Sequence, residues 1–201
     1  MGHGATVRPA APDEGPAVRR VVRDAFGDEG DLIVGILDDL DHGGLTRGSL
    51  VAALTNEQSD DAVVGHVGLS AAWLDARERL ADVWVLSPLS VSPEHQRQGI
   101  GGALLESALA AGREAGVPLV FLEGSPHYYG VRGFARARDR GFLPASRRTP
   151  VDAFQVAVLP AWHEWMTGAL VYPDVWWRHD SAGLRDPVLA QLETTMGAWH
   201  A

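Results

Sequence analysis

A short glycine-containing loop between an apolar run and an amphipathic helix has the composition of a phosphate-binding site. Its residues, Gln96-Arg97-Gln98-Gly99-Ile100-Gly101, follow the apolar run that ends at Val91 and lead directly into a helical pattern. The first N–H groups of a helix have no partners within the helix, and glycine has no Cβ to keep a ligand away from them. The loop therefore predicts a site for a phosphate or pyrophosphate group.

Two other phosphate-binding loops are excluded by the residues that they require. A P-loop ends in Gly-Lys-Ser/Thr, and this chain contains no lysine. The dinucleotide-binding pattern G-x-G-x-x-G would need glycine at position 104, where the chain has Leu104, and no acidic residue ends a following strand at the right distance.

The elements that must position this loop follow from hydrophobic periodicity. Apolar residues at helical spacing predict helices over about 13–26, 31–41 and 99–115. Shorter apolar runs predict strands over about 50–54, 62–69, 82–91, 118–123 and 154–159, with a turn of helix over about 126–131. The order of strand, loop, helix and strand predicts a mixed α/β sheet with a right-handed crossover.

Pro88 interrupts the apolar run that precedes the loop. Proline cannot donate a hydrogen bond to a sheet ladder, so within a strand it predicts a bulge or an edge position. The strand before the loop is therefore expected to be irregular near Pro88.

Length and composition favour a single soluble domain. The 201 residues allow one core, with residues 160–201 expected to pack on it as an aromatic-rich extension. The net charge of -9 argues against nucleic acid as a partner, and the chain shows neither a membrane-spanning run nor a secretory signal, so a cytoplasmic location is expected. Four tryptophans of the extension are expected to pack in the core: Trp162, Trp165, Trp176 and Trp177. The alternatives are that they cap a substrate cleft or form a homodimer interface.

The loop and its flanks resemble motif A of the GNAT superfamily of N-acetyltransferases, Gln/Arg-x-x-Gly-x-Gly/Ala. Gln96, Gly99 and Gly101 match that motif, and Val91 and Pro93 supply the Val-x-Pro that usually precedes it. The resemblance, over about residues 50–178, implies a central, strongly twisted, mostly antiparallel sheet flanked by helices, with its fourth and fifth strands splayed apart.

A second motif extends the resemblance. Tyr129, Gly133 and Phe134 match the Tyr-x-x-x-Gly-Phe of many family members. The Tyr128-Tyr129 pair, Ser-Pro-Leu before Val91 and Tyr172-Pro173 are similar to a bacterial subgroup of predicted acetyltransferases.

The resemblance implies acetyl-CoA as co-substrate and assigns its contacts. Pantetheine would be bound by backbone groups of Leu89, Ser90 and Val91, and the Leu89 N–H would hold the thioester oxygen. The pyrophosphate would be bound by Gln96, Arg97, Gln98, Gly99, Ile100, Gly101 and Gly102.

Acetyl transfer to an amine needs one group that accepts a proton and one that donates a proton. Tyr129 is expected to be the acid that protonates the leaving thiolate, and Tyr128 a packing residue or part of the cofactor wall. Glu123 is the first candidate for the base, with His66, His127 and water as alternatives. The histidines lack metal-ligand spacing, so no metal is expected.

The sequence thus predicts an N-acetyltransferase in which a primary amine attacks acetyl-CoA directly in a ternary complex. The alternative is an acyl-CoA-binding sensor without catalysis. Small amines, amino acids, antibiotics and protein amino groups all remain open as acceptors.

Overall fold

Groups of helices and groups of strands follow one another along the chain in the computed structural model, which describes residues 5–56, 59–185 and 187–197. The helices are α1 (Gly15–Phe26), α2 (Gly30–His42), α3 (Ile100–Glu114), α4 (Pro126–Tyr129), α5 (Asp174–Arg178) and α6 (Val188–Gly197). The strands are β1 (Thr6–Pro9), β2 (Thr46–Asn56), β3 (Ser59–Ala76), β4 (Leu80–Val91), β5 (Leu119–Glu123), β6 (Ala135–Arg136), β7 (Phe142–Leu143), β8 (Phe154–Val158) and β9 (Gly168–Val171).

These elements form two compact units. The first unit comprises the described residues up to 71 together with 84–117, and the second comprises 72–83 together with the described residues from 118 onward. The long strands β3 and β4 contribute residues to both units. No helix in the described ranges combines the length and the apolar character that a membrane crossing requires.

The first unit is built on strands in the order β1-β2-β3-β4. β1 pairs with β2 and β2 with β3, both antiparallel. Along β3, residues 66, 68 and 70 point to one face because strand side chains alternate, and Gly65 points to the other. A Cβ on Gly65 would lie 3.0 Å from Leu104 Cδ1 and 3.1 Å from Ile100 Cγ2, so glycine allows α3 to pack closely on that face.

An apolar cluster joins α1 and α2 to the sheet of the first unit. α1 begins after Glu14, whose carboxylate accepts hydrogen bonds from Arg8 and from the backbone N–H of Ala11, and it ends at Gly27, which has a φ of 55°. The buried members of the cluster share one face of each element: Val18, Val21, Val22, Val34, Val51 and Val63. This burial fixes the two helices over the sheet.

The second unit has a mixed, mostly antiparallel strand arrangement. β8 pairs antiparallel with both β5 and β6, whereas β9 pairs antiparallel with the end of β3 and parallel with β7. Phe121, Phe142 and Phe154 are fully buried. The centroid of the Phe121 ring lies 5.3 Å from that of Phe142 and 5.4 Å from that of Phe154. Gly168 lies so close to the backbone of Asp75 that a side chain there would collide with the neighbouring strand.

The predicted mixed α/β fold with a mostly antiparallel sheet flanked by helices is confirmed. The predicted helices and strands all exist, and the first two strands extend further than predicted, so that β3 reaches Ala76. Residues 57 and 58, in the turn of the predicted hairpin, lie outside the described residues. Three short strands, β1, β6 and β7, are not among the predicted elements, and the C-terminal segment, which shows no clear period, contains β9, α5 and α6.

Candidate active site

The final residues of β4 form the wall to which the pantetheine contacts were assigned. Within this strand, the peptide bond between Ser87 and Pro88 is cis. Leu89 and Val91 are half-buried, whereas Ser90 is 1% exposed, and its Oγ has no hydrogen-bond partner among the described residues. Leu89 and Val91 lie on the face of the strand opposite Ser90.

The loop after β4 is fixed by its own side chains. The backbone N–H of Ser92 donates to Val64 O of β3 at 2.9 Å, and a 3-10 turn follows over Pro93–His95. Gln96 Nε2 then donates back to Val91 O at 3.2 Å, and Gln98 Nε2 donates to Glu94 O at 3.1 Å. The two glutamine side chains therefore shape the predicted loop and join it to the end of β4.

The loop reaches α3 through two residues in left-handed backbone conformations. Arg97 has a φ of 61° and Gly99 a φ of 86°, and the second of these favours glycine. The first N–H to bond back along the helix is that of Ala103, which donates to Gly99 O at 3.1 Å, so the N–H groups of Ile100, Gly101 and Gly102 precede the helix ladder.

This geometry fits a pyrophosphate group. Apart from Gly99 and its two neighbours in the chain, no described residue has an atom within 4 Å of the position that a Cβ would take on Gly99, so the approach to the backbone there is open. Ile100 is 7% exposed and anchors the first turn of α3 in the core. Open backbone N–H groups on an anchored helix end can bind an anion without rearrangement.

Glu123, at the end of β5 in the second unit, accepts hydrogen bonds from two hydroxyl groups. Its Oε1 accepts from Tyr172 Oη at 3.0 Å and from Thr149 Oγ1 at 3.2 Å. Desolvation raises the pKa of Glu123, and the two donors oppose that rise. The residue keeps an exposed surface, so access of water to the rest of the carboxylate limits the increase.

Tyr129 lies beside the same strand end. Its ring covers the Cα of Gly124, the residue after Glu123, where any side chain would collide with it. Edge-to-face contacts with Tyr128 and Phe134, at 5.0 and 5.9 Å between centroids, hold the ring in place. Burial, with a smaller contribution from Tyr128, raises the pKa of Tyr129 to about 12, so the phenol is protonated at neutral pH.

The two histidines proposed as alternative bases lie in different surroundings. His127 is an exposed residue of α4. His66 is 1% exposed in the middle of β3, with its Nε2 3.0 Å from Ser49 Oγ. Burial lowers the pKa of His66 to about 4. Across the described part of the chain, no group of three or more His, Asp or Glu residues could hold a metal ion.

Two residues that contact Glu123 are not apparent from the sequence. Tyr172 and Thr149 lie 49 and 26 positions from Glu123, and no local pattern indicates that they bond to it. In the sequence, Tyr172 stands out as part of the Tyr172-Pro173 pair, which carries no sign of a contact with Glu123. The spacing of His66, Gly68 and Ser70 on one face of a strand could have drawn attention to a polar surface within the first unit.

Comparison with known proteins identifies the family. The profile of the acetyltransferase (GNAT) family matches residues 21–142. The uncharacterised N-acetyltransferase YjhQ of Escherichia coli K12 is 30% identical over 138 residues, which are 67% of this chain and 72% of YjhQ.

Two solved structures are also similar. The GNAT N-acetyltransferase YhbS of Escherichia coli, in complex with CoA, has a TM-score of 0.76 and 24% identity over 89% of this chain and 94% of its own, and it supports the fold alone. A GNAT acetyltransferase of Brucella melitensis, in complex with acetyl-CoA, has a TM-score of 0.67 and 25% identity over 87% of this chain and 99% of its own. From the family profile and the relatives together, we conclude that the chain belongs to the GNAT family of N-acetyltransferases.

Proposed function

We propose that this chain transfers an acetyl group from acetyl-CoA to a primary amine that attacks the thioester directly while both substrates are bound. The observation that carries the proposal is the junction of strand, loop and helix at residues 89–102, in a chain of this family. Bound acetyl-CoA would supply the acetyl thioester, and the protein would supply binding, orientation and proton transfer.

In the first unit, the backbone provides the groups that would bind the donor. The N–H groups from Arg97 to Gly102 would bind the pyrophosphate, with Gln96 and Gln98 holding the loop in shape. Backbone groups of Leu89, Ser90 and Val91 would bind pantetheine. The Leu89 N–H would donate to the thioester oxygen, where a fixed donor stabilises developing negative charge without reorganisation.

In the second unit, Glu123 would act as the base for the incoming amine. A raised pKa brings a carboxyl group closer to neutral pH, where a base is most effective, and its exposed surface leaves room for a proton to reach it, directly or through water. His66 is a weaker candidate, because a pKa of about 4 leaves little affinity for a proton at neutral pH. His127 and a path through water alone are the competing choices.

Tyr129 would donate the proton that the departing thiolate takes up. A phenol with a pKa of about 12 keeps its proton at neutral pH. The ring is held by contacts with Tyr128 and Phe134, and it fills the space that a side chain at Gly124 would need. The atoms balance in this scheme. The amine nitrogen forms a bond to the acetyl carbon and loses one proton to Glu123, while the carbon–sulfur bond breaks and sulfur takes one proton from Tyr129. An acceptor that is protonated in solution first releases its extra proton to water, and transfer of the proton from Glu123 to Tyr129 through water returns both groups to their starting states.

The test is release of CoA thiol from acetyl-CoA with a panel of primary amines. Tyr129→Phe should lower kcat by roughly 10²-fold or more, because it removes the donor and keeps the ring. Tyr128→Phe is the matched control and should retain turnover. Unchanged turnover in Tyr129→Phe would reject the acid role, and binding of acetyl-CoA without release of thiol for any amine would favour the sensor and overturn the proposal.

A further inference from the structure

A cavity of about 260 Å³ lies within the first unit. Its walls are the turn before α1, the facing sides of α1 and α2, strands β2 and β3, and Ser87 of β4. Its volume is just below the range of 300–1,000 Å³ that is typical of small-molecule sites, so it suits a small ligand. The mechanism proposed above makes no use of the polar side chains that line it.

Two buried polar atoms in the wall of this cavity have no hydrogen-bond partner. His66 and Ser70, which are 1% and 2% exposed, both line the cavity. Within the described ranges, His66 Nδ1 and Ser70 Oγ make no hydrogen bond, although His66 Nε2 is bonded to Ser49 Oγ. Because buried polar groups are normally paired, two such atoms on one strand face indicate a hydrogen-bonding ligand.

The charges around the cavity limit what that ligand can be. Arg19 lines the cavity, but its Nε and Nη2 donate to the same Asp38 oxygen at 2.9 and 2.5 Å. Asp41 adds a second carboxylate, so the cavity carries one more negative than positive charge while His66 is neutral. An ammonium group is therefore favoured, and a carboxylate on the ligand would meet two aspartates and an arginine that is already engaged.

The cavity also reaches the strand that would hold the thioester. Ser87 lines it and precedes Leu89 by two residues. Gly68, another lining residue, would bring a Cβ to 2.8 Å from Ser87 O and 3.3 Å from Pro88 Cδ, so glycine keeps this end of the cavity clear.

We infer that this cavity binds the acceptor, and that the acceptor is a small primary amine with a hydroxyl group and no carboxylate. This inference rests on the proposed function. The Cα atoms of His66 and Ser70, four residues apart on β3, are about 13 Å apart, so the two buried atoms take different groups of the ligand. The hydroxyl pairs with Ser70 Oγ, and the amine donates to His66 Nδ1. The positive charge of the amine in solution is attracted by Asp38 and Asp41. An amino acid fails on charge, and a plain alkylamine leaves Ser70 Oγ unpaired.

Matched acceptor pairs test this directly. Alaninol against alanine changes a hydroxymethyl group to a carboxylate, and ethanolamine against propylamine changes a hydroxyl to a methyl group. We expect kcat/KM to favour the amino alcohol by roughly tenfold or more in each pair, since leaving buried polar groups unpaired is costly. Equal values within both pairs would overturn the inference.

Two conservative variants connect the preference to the cavity. Ser70→Ala should raise KM for ethanolamine and leave the value for propylamine unchanged. Asp41→Asn should reduce the preference for alaninol over alanine. Asp24→Asn is the control, because Asp24 is an exposed residue of α1 that does not line the cavity, and it should change neither preference. If Ser70→Ala still prefers ethanolamine to propylamine and Asp41→Asn still prefers alaninol to alanine as strongly as the wild type, the acceptor binds outside this cavity.

A binding measurement separates this inference from the proposed function. In NMR spectra, the His66 imidazole signals, assigned by their loss in His66→Gln, should shift on addition of alaninol and stay unchanged with alanine. If acetyl-CoA is never turned over, the proposed function fails even where that shift occurs. If turnover occurs with other amines and the His66 signals do not shift on addition of alaninol, only the inference about the acceptor fails.

Discussion

The buried imidazole of His66 should make the stability of the fold depend on pH. Burial lowers the pKa of His66 from 6.5 to about 4. In the unfolded chain the ring is hydrated and keeps its ordinary value. Below pH 6.5 the unfolded state therefore binds a proton that the folded state does not, so the free energy of unfolding falls as the pH drops toward about 4 and is unaffected above 6.5.

The size of this effect follows from the two pKa values. At about 1.4 kcal/mol for each pKa unit, the full loss is about 3 kcal/mol. Between about pH 7.5 and about pH 5 it amounts to about 2 kcal/mol, a substantial part of the stability of a typical domain.

Other charged groups modify the pH dependence in known directions. Around the same cavity, Asp38 and Asp41 favour a protonated ring and Arg19 opposes it. The cause of the lowered pKa of His66 is burial. The lowered pKa of Glu14, caused mainly by Arg8, also removes stability, but only as the pH falls below its ordinary value of 4.5. The raised pKa of Glu123 acts in the opposite sense. A comparison between variants cancels these contributions.

The assay is urea denaturation over this pH range for the wild type, His66→Gln and the control His163→Gln. Glutamine keeps a polar group near Ser49 and does not titrate, whereas His163 is exposed. The wild type should lose about 2 kcal/mol more than His66→Gln, and His163→Gln should follow the wild type. Parallel loss in the wild type and His66→Gln would refute the reasoning, whatever their absolute stabilities.

Three further predictions concern the loop, the carboxylate and the core. Gly99→Ala should cost about 1–2 kcal/mol in thermal unfolding, because φ is 86° there, and calorimetry should show weaker binding of acetyl-CoA; an unchanged melting temperature would contradict it. Tyr172→Phe removes a hydrogen-bond donor that lowers the pKa of Glu123, so the acid limb of the pH profile of kcat/KM should move to higher pH. An unchanged acid limb would show that Glu123 is not the group that titrates there. Phe121→Ala should cost about 3–5 kcal/mol in urea denaturation, because the ring is fully buried against Phe142 and Phe154; a loss below about 1 kcal/mol would show that the site collapses around the gap.

Local patterns predicted the loop and the helix that follows it. Gly99 needs a left-handed φ, and Ile100 and Leu104 recur at helical spacing, so neighbours in the sequence carry the information. Pro88 predicted a bulge or an edge position in its strand; the structure has a cis peptide bond between Ser87 and Pro88, and the bulge stays a prediction. The assigned role of the Leu89 N–H remains a prediction, and the roles of Glu123 and Tyr129 are predictions that the kinetic tests above address.

Contacts between distant segments could not be predicted in this way. The hydroxyls of Thr149 and Tyr172 donate hydrogen bonds to Glu123 because β8 and the C-terminal segment fold back near the end of β5. No hydrophobic periodicity in the sequence predicts these contacts. β1 was missed because four residues are too few to show alternation, although its pairing with β2 is regular. The cavity of the first unit was missed for a similar reason, since α1, α2 and β3 supply its charges and its unpaired atoms separately.

The bond from Tyr172 to Glu123 bears on how relatives of this chain are recognised. The family profile matches residues 21–142, a span that ends before both Thr149 and Tyr172. A gene duplicate shortened by a stop codon just after that span would still score as a family member and would retain the loop, Glu123 and Tyr129. The Glu123 carboxylate of that duplicate would have lost both hydroxyl partners. A genome survey based on the profile alone would count the duplicate as equivalent to this chain, although the surroundings of the proposed base would differ.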